Sequence, residues 1–466
     1  MNLRNVRRLL VVGSCLAVTA AGGTAAMADD EAPAVGHGFH SGTVPLTTSY
    51  NGNTYELKDP TRGNTSGYLD QKVGDAVKSV LFTDQDNDWG DGSQLDKVSI
   101  AVDVQYASTK AWDYFANVHG RVGFAGDGQA LNLYGKVLPL PASRPSYVKA
   151  SPNLNRPALI TYASAGQEVG NDGKFRQVNQ GTLDLVGGAF AMGIAQVEAG
   201  LPTTAEASGH TEMEEPAAIG ETTAAIFGTM VEFYANNRVD RPDYLIGERI
   251  AAGYPAGTFS APESMVKPLT SCWSTQTRTL RGPGMHFFYL LAVGSNPTQG
   301  EASPTCNGMP VTGIGNDKAA KIWYRALTEY FTANTNYAAA RVATLKAAAD
   351  LYGAHGLEYN TVNAAWSAIS VGGADPIAGG QTPRPVNPGD QETVVGTAVS
   401  LQLEATNPGG RPLTYAAAGL PPGLTMDTAS GLISGKPTKK GNYRVTVGVT
   451  DTLHAQSTTW FMWYVS

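Results

Sequence analysis

The sequence predicts an α+β protein with a β-rich first part, a helical second part and a C-terminal β-sandwich. Three observations predict it. Residues 40–185 alternate short β-like runs with Gly, Asn and Asp turns. Residues 186–371 carry apolar side chains at helical spacing. A Gly/Pro-rich stretch over 372–387 then reads as a linker, and turn-separated strands fill 388–466. A chain of 466 residues has room for about three domains of roughly 150 residues each, and for a sizeable core.

Taken in order, residues 1–28 read as a secretory signal. Arg4, Arg7 and Arg8 precede an apolar run from Leu9 to Ala21, and Ala26-Met27-Ala28 is a small-residue cleavage site. The run is too short and too rich in small residues for a membrane anchor, which needs about 20 apolar residues. It continues past Cys15, so Cys15 reads as part of it rather than as a lipid-bearing cysteine. Losing three arginines and no acids moves the net charge from −7 to −10. A short segment, 29–39, follows. The β-like runs are Thr43–Tyr55, Val98–Val104, Leu131–Leu140 and Ala158–Tyr162, with a helix at Ala107–His119. Helices are expected over Glu221–Asn236, Lys318–Phe331 and Tyr337–Tyr352. In the last part Val394–Leu403, Leu413–Ala417, Gly431–Ser434, Gly441–Thr450 and Ser457–Val465 read as strands, with turns such as Pro421-Pro422-Gly423 between them. That spacing suggests a sandwich.

Composition narrows the function. Charged residues are 16% of the chain, well under the roughly 25% of an average soluble protein, and the net charge is negative. Bulk electrostatics therefore exclude a basic nucleic-acid binder. Low charge with 9% aromatics also excludes a disordered polyampholyte. Beyond the N-terminal segment no apolar run spans a membrane, so the mature protein is expected to be secreted and not membrane-inserted. Cys272 and Cys306 are the cysteines left after the signal; in an oxidising compartment they most simply pair.

Three stretches resemble the thermolysin-like family of secreted zinc metalloproteases. They are Ala111–Arg121, Ile226–Asn237 followed by Pro242–Glu248, and His286–Leu291 through Gly313–Leu327 to Ala349–Gly353. The resemblance covers about 40–371 and implies two lobes, a β-rich one over 40–185 and a helical one over 186–371, with a cleft between them. From about 388, Leu413-Thr414-Tyr415, Gly419–Leu424 and Gly431–Thr438 resemble the immunoglobulin-like modules of bacterial exported proteins.

The family's chemistry needs two His at i, i+4 on a helix and a Glu from the next helix to bind zinc. A Glu beside the first His is the general base. Aligned on that pattern through Phe190, Gly193, Gln196 and Ala199-Gly200-Leu201, Gly188 and Met192 stand at the histidine positions and Ala189 at the base. Glu221 remains at the third ligand, while Ala225 stands where a carboxylate would orient a ligand His. The transition-state histidine falls at Arg278 and the substrate-positioning Arg at Glu263. The edge-strand Asn-Ala-x-Trp signature is missing near Pro152–Asn155. The resemblance thus implies a degenerate zinc site, no catalytic residue expected to function, and zinc absent. The short Asp29–Phe39 segment, where relatives carry a long inhibitory propeptide, agrees with lost catalysis. His210, Glu212, Glu214 and Glu215 read either as a solvated acidic loop or as a replacement metal site. By the family pattern His119 and His286 are structural.

The calcium positions are kept. The resemblance places a structural calcium at Asp184, Glu232, Asp243 and Glu248, with the Leu245 carbonyl, a hard-oxygen set suited to that ion. A second candidate uses Asp84 and Asp86 in Asp84-Gln-Asp86-Asn-Asp88. An EF-hand-like reading lacks its closing Glu, because Leu95 occupies that place; a turn without metal is the alternative. The expected function is a non-catalytic protein that binds peptide, protein or cell-wall and glycan ligands. The alternatives are an active zinc endopeptidase with non-standard ligands and a structural or adhesive exported protein.

Overall fold

The first long element of the computed structural model is helix α1, Lys97–His119. Its N-cap Asp96 accepts from Ser99 N–H at 2.7 Å, and Gly120 closes it at φ 68°. The strand expected at Val98–Val104 is therefore corrected: it is the first two turns of this helix. Val98, Ile100, Val102 and Val104 do alternate, but residues 99–108 are all buried, Asp103 and Gln105 among them, so this part of the helix crosses the core with no exposed face. A helix segment buried all round has no solvent face to set a period that separates it from a strand.

The structure describes residues 34–73, 76–128, 132–136, 146–148, 159–163, 166–169, 175–202, 215–250, 254–258, 261–277, 280–373, 375–377 and 379–466. Of these, 34–466 belong to one compact unit. A six-stranded sheet has Asn132–Lys136 running parallel between Thr65–Val73 and Leu159–Ala163. Ser146–Val148 lies beyond Leu159–Ala163, and Lys58–Asp59 and Ala76–Leu81 both pair with Thr65–Val73. The run expected over Thr43–Tyr55 is broken into Gly42–Pro45, Ser49–Tyr50 and Tyr55–Glu56, because Asn51 folds a turn by accepting from the Asn53 and Thr54 amides.

Six helices follow among the described residues: α2 (Leu183–Ala199), α3 (Glu215–Ala235), α4 (Gly282–Ala292), α5 (Asn316–Glu329), α6 (Tyr337–Tyr352) and α7 (Leu357–Ala368). They share one core with α1, in which Phe115 stacks on Phe190 and Phe287 on Trp366, all four fully buried. Helices α2 and α3 approach closely because glycines line their contact. A Cβ on Gly228 would stand 2.2 Å from the Asp184 carbonyl, and one on Gly188 would stand 2.9 Å from the Ala224 carbonyl. Cys272 and Cys306 form the disulfide, and Cys306 N–H donates to the Ala368 carbonyl at the end of α7.

The last part is a sandwich. One sheet has the order Gln391–Thr393, Gln456–Val465, Gly441–Asp451, Leu413–Ala418; the other has Val399–Gln402, Leu432–Gly435, Leu424–Met426. Ile433, Val445, Val447, Phe461 and Trp463 fill the space between them. Arg384–Pro385, inside the stretch read as linker, pairs with Ala405–Thr406. Among the described residues no helix is long and apolar enough to cross a membrane.

Candidate functional site

Two groups of carboxylates face α2, and their surroundings differ. The first begins at its N-terminal turn. Asp184 accepts from Thr182 Oγ1 and from Gly247 N–H at 2.5 Å. Beside it, Glu232 from the last turn of α3, Asp240 and Glu248 bring carboxylate oxygens within 4.8 Å of one another. Glu232 and Asp240 are buried, Glu232 completely. Among the described residues neither Glu232 oxygen, nor Asp240 Oδ1, nor Glu248 Oε2 finds a hydrogen-bond donor; Arg249 Nε stands 3.8 Å from Asp240 Oδ1.

Buried together, and with Arg249 near Asp240 but not hydrogen-bonded to it, these acids resist ionisation. Burial, then the charges of Asp184, Glu248, Asp240 and Asp243, push Glu232 up to about 11. Burial and the Asp184 charge push Glu248 up to about 9 and Asp240 to about 7. Burial also raises Asp243, against the hydrogen bond from Leu245 N–H at 2.6 Å. An unpaired buried carboxylate costs several kcal/mol. A divalent cation with a taste for oxygen removes that cost, so the orphaned oxygens fit a calcium ion. Glu232, Asp240 and Glu248 are the residues able to hold it.

Of the expected calcium residues, Glu232 and Glu248 lie in the tight trio, while Asp184 and Asp243 act on it through their charge. Leu245 pairs with Ser264 in a short ribbon. Asp240 was missed. Its signal was the acid spacing Asp240, Asp243, Glu248 after the helix, which read only as far back as Asp243.

The second group lies further along α2. Ala189 and Met192 are buried with Gly188, and a Cβ on Gly220 would meet Met192 Sδ at 3.3 Å, one residue before Glu221. Glu221 itself receives Arg281 Nη1 at 3.4 Å, and the same guanidinium donates to Glu263 through Nε at 2.9 Å and through Nη2. Arg281 is 16% exposed. Burial works against its charge, but the Glu263 hydrogen bonds and charge, with the Glu221 charge, outweigh this and push its pKa up. Glu263, aligned by resemblance with a substrate-positioning Arg, thus serves as one arm of a clamp on Arg281. Ala225 is buried on the same helix. Arg278, His210, Glu212, Glu214 and Pro152–Asn155 lie outside the described residues.

Elsewhere the structure places the remaining expected residues in local roles. Asp84 Oδ2 accepts from Asp86 N–H at 3.0 Å and Asp86 Oδ1 from Asp88 N–H at 3.2 Å, the pattern of successive Asx turns. Among the described residues these acids join no three-ligand group. His119 stacks on Tyr324 and meets Tyr114 Oη; burial, helped by Lys321, lowers it to about 3. His286 bonds the Ser271 carbonyl and Ser303 Oγ, and burial lowers it too.

Sequence comparisons agree with this architecture. Residues 33–137 match the catalytic domain of the thermolysin metallopeptidases, 211–371 match their alpha-helical domain, and 382–466 match an Ig domain. The chain is 37% identical over 391 residues to the transglutaminase-activating metalloprotease of Streptomyces mobaraensis, covering 82% of this chain and 47% of that protein. It is 30% identical over 366 residues to the bacillolysin of Bacillus caldolyticus, covering 75% of this chain and 59% of that one. The chain therefore spans about half the length of the curated relatives it matches. Among solved structures, the protealysin precursor of Serratia proteamaculans aligns with 17% identity and a TM-score of 0.41, covering 67% of this chain and 89% of that one. The chain belongs to the thermolysin metallopeptidase family, with an Ig domain following the alpha-helical domain.

Proposed function

We propose that this is an exported, non-cleaving member of the thermolysin family, a calcium-stabilised scaffold that binds peptide, protein or cell-surface ligands. The observation that carries this reading is the Arg281 clamp. The Glu221 carboxylate, left alone of the zinc set, already has a positive partner. Gly188, Ala189 and Met192 offer no nitrogen or carboxylate beside it. Catalytic zinc ordinarily takes three protein ligands and an open position, and these residues do not fit it. At the other group, Glu232, Asp240 and Glu248 would hold calcium, whose charge would let all three ionise and tie the end of α3 to the segment 240–248. The apolar N-terminal run and the disulfide support export.

The printed names of the relatives favour a second reading, an active zinc endopeptidase with non-standard ligands. One experiment separates the two: metal analysis of the purified full chain together with casein cleavage. The expected result is calcium without stoichiometric zinc and no cleavage. One tightly bound zinc per chain, with cleavage blocked by phenanthroline, overturns the proposal.

A further inference from the structure

The Ig domain is seated on the helical part. Asn360 Nδ2 on α7 donates to the Leu453 carbonyl at 2.9 Å, and Gln456 Nε2 donates to the Pro310 carbonyl at 3.2 Å. Small residues let the loop after Cys306 lie on the sheet: a Cβ on Gly448 would stand 2.2 Å from Met309 Sδ, and one on Gly308 would stand 2.1 Å from Ala418 Cβ. Between α7, the segment 310–312 and the strands 414–416 and 450–456 this seating leaves a cavity of about 330 Å³. We propose that this cavity binds one or two rings of a neutral glycan.

Its walls carry hydroxyls rather than free charge. The side chains of Thr312, Thr414 and Thr452 line it, and none makes a hydrogen bond to another described residue. The carboxylate of Asp451 is already used: Oδ1 accepts from the Leu453 and Ala455 amides at 2.9 Å, and Oδ2 from Arg411 at 3.2 Å. Thr361 Oγ1 donates to the Leu357 carbonyl at 2.8 Å, so it accepts from His454 Nδ1 at 2.7 Å. That assigns the Nδ1–H tautomer and leaves His454 Nε2 as an acceptor. Pro310, Val311, Ala364 and Ala416, which also line it, supply the apolar surface that a sugar's C–H face needs. A charged ligand finds no free counter-charge here, whereas a polyol finds donors and acceptors. The volume sits at the small end of ligand sites, roughly 300–1,000 Å³. The cavity is built jointly by both domains and lies apart from Glu221, so the inference holds whether or not the other cleft cuts peptides.

The test is calorimetry on the full chain with cellotriose, chitotriose, maltotriose and, as the anionic comparison, trigalacturonate. At least one neutral trisaccharide is expected to bind with a Kd below about 1 mM. The double variant Thr414→Val, Thr452→Val removes hydroxyls with no protein partner, so its melting temperature is expected to stay unchanged while affinity drops about tenfold. Trp460→Ala, on an exposed aromatic outside the cavity, is expected to leave binding unchanged. No binding by any of the three neutral sugars, tighter binding of trigalacturonate, or a loss with Trp460→Ala but not with the double variant each overturns the proposal.

Discussion

The two acidic groups along α2 are near neighbours in sequence and opposites in physics. At Glu221 and Glu263 the protein supplies its own cation, Arg281, and both carboxylates are partnered. At Glu232, Asp240 and Glu248 it supplies none within hydrogen-bond reach, and four oxygens are left without donors. A buried acid group hydrogen-bonded to its own guanidinium is complete; one whose oxygens lack donors would gain most from a cation from outside. Composition alone makes no such distinction, because each group is two or three acids on or near a helix.

The largest test of this contrast is calcium removal. Saturation at a thousandfold excess over Kd adds about 4 kcal/mol, so a chelator should lower the melting temperature by several degrees in scanning calorimetry. The pH dependence follows from the raised pKa values. In calcium-free protein Glu232 and Glu248 stay protonated when folded but ionise from about 4.5 when unfolded. The folded state then holds more protons, so stability should fall as pH rises from about 5 towards 9. Excess calcium should abolish that fall, and stability unaffected by calcium at pH 8 would break the comparison. Glu232→Gln sharpens it by a change of sign: destabilising with calcium, stabilising in chelator.

Next in size is Arg281→Leu. It removes the guanidinium that the half-buried Glu221 and Glu263 share, an expected loss of about 1–3 kcal/mol in urea unfolding. The calcium response should be unchanged; a lost response would mean that the two groups are coupled. Gly188→Ala should cost about 1–3 kcal/mol, because its Cβ meets the Ala224 carbonyl rather than open space. The same crowding predicts that rebuilding the motif with Gly188→His, Ala189→Glu and Met192→His yields a destabilised protein without casein cleavage. Smallest is Asp84→Asn with Asp86→Asn. These exposed turn acids should move stability by about 0.5 kcal/mol or less and leave the calcium titration unaltered; a weakened calcium response would put an ion in that loop.

Much of the fold was legible because its signals are local. Helical spacing marks α5 and α6 to within two residues, and the strands Leu413–Ala418, Gly441–Asp451 and Gln456–Val465 follow from turn residues on either side. The disulfide follows from the two cysteines left after the N-terminal apolar run. Alpha-1 was misread at its start because a helix buried on every side carries no amphipathic period.

What the sequence determined by itself, then, is residue chemistry at aligned positions: the α+β plan, the family, and the absence of imidazole or carboxylate side chains at 188, 189 and 192. Only the tertiary structure decided which acids are partnered. It brought Arg281 from the start of α4 to Glu221, sixty residues away, and Asp240 to Glu232 from beyond the helix end. It also seated the Ig domain on α7 and made a cavity that neither part has alone. Charge pairing and cavity shape depend on distances between segments remote in the chain, and spacing along the sequence does not encode them.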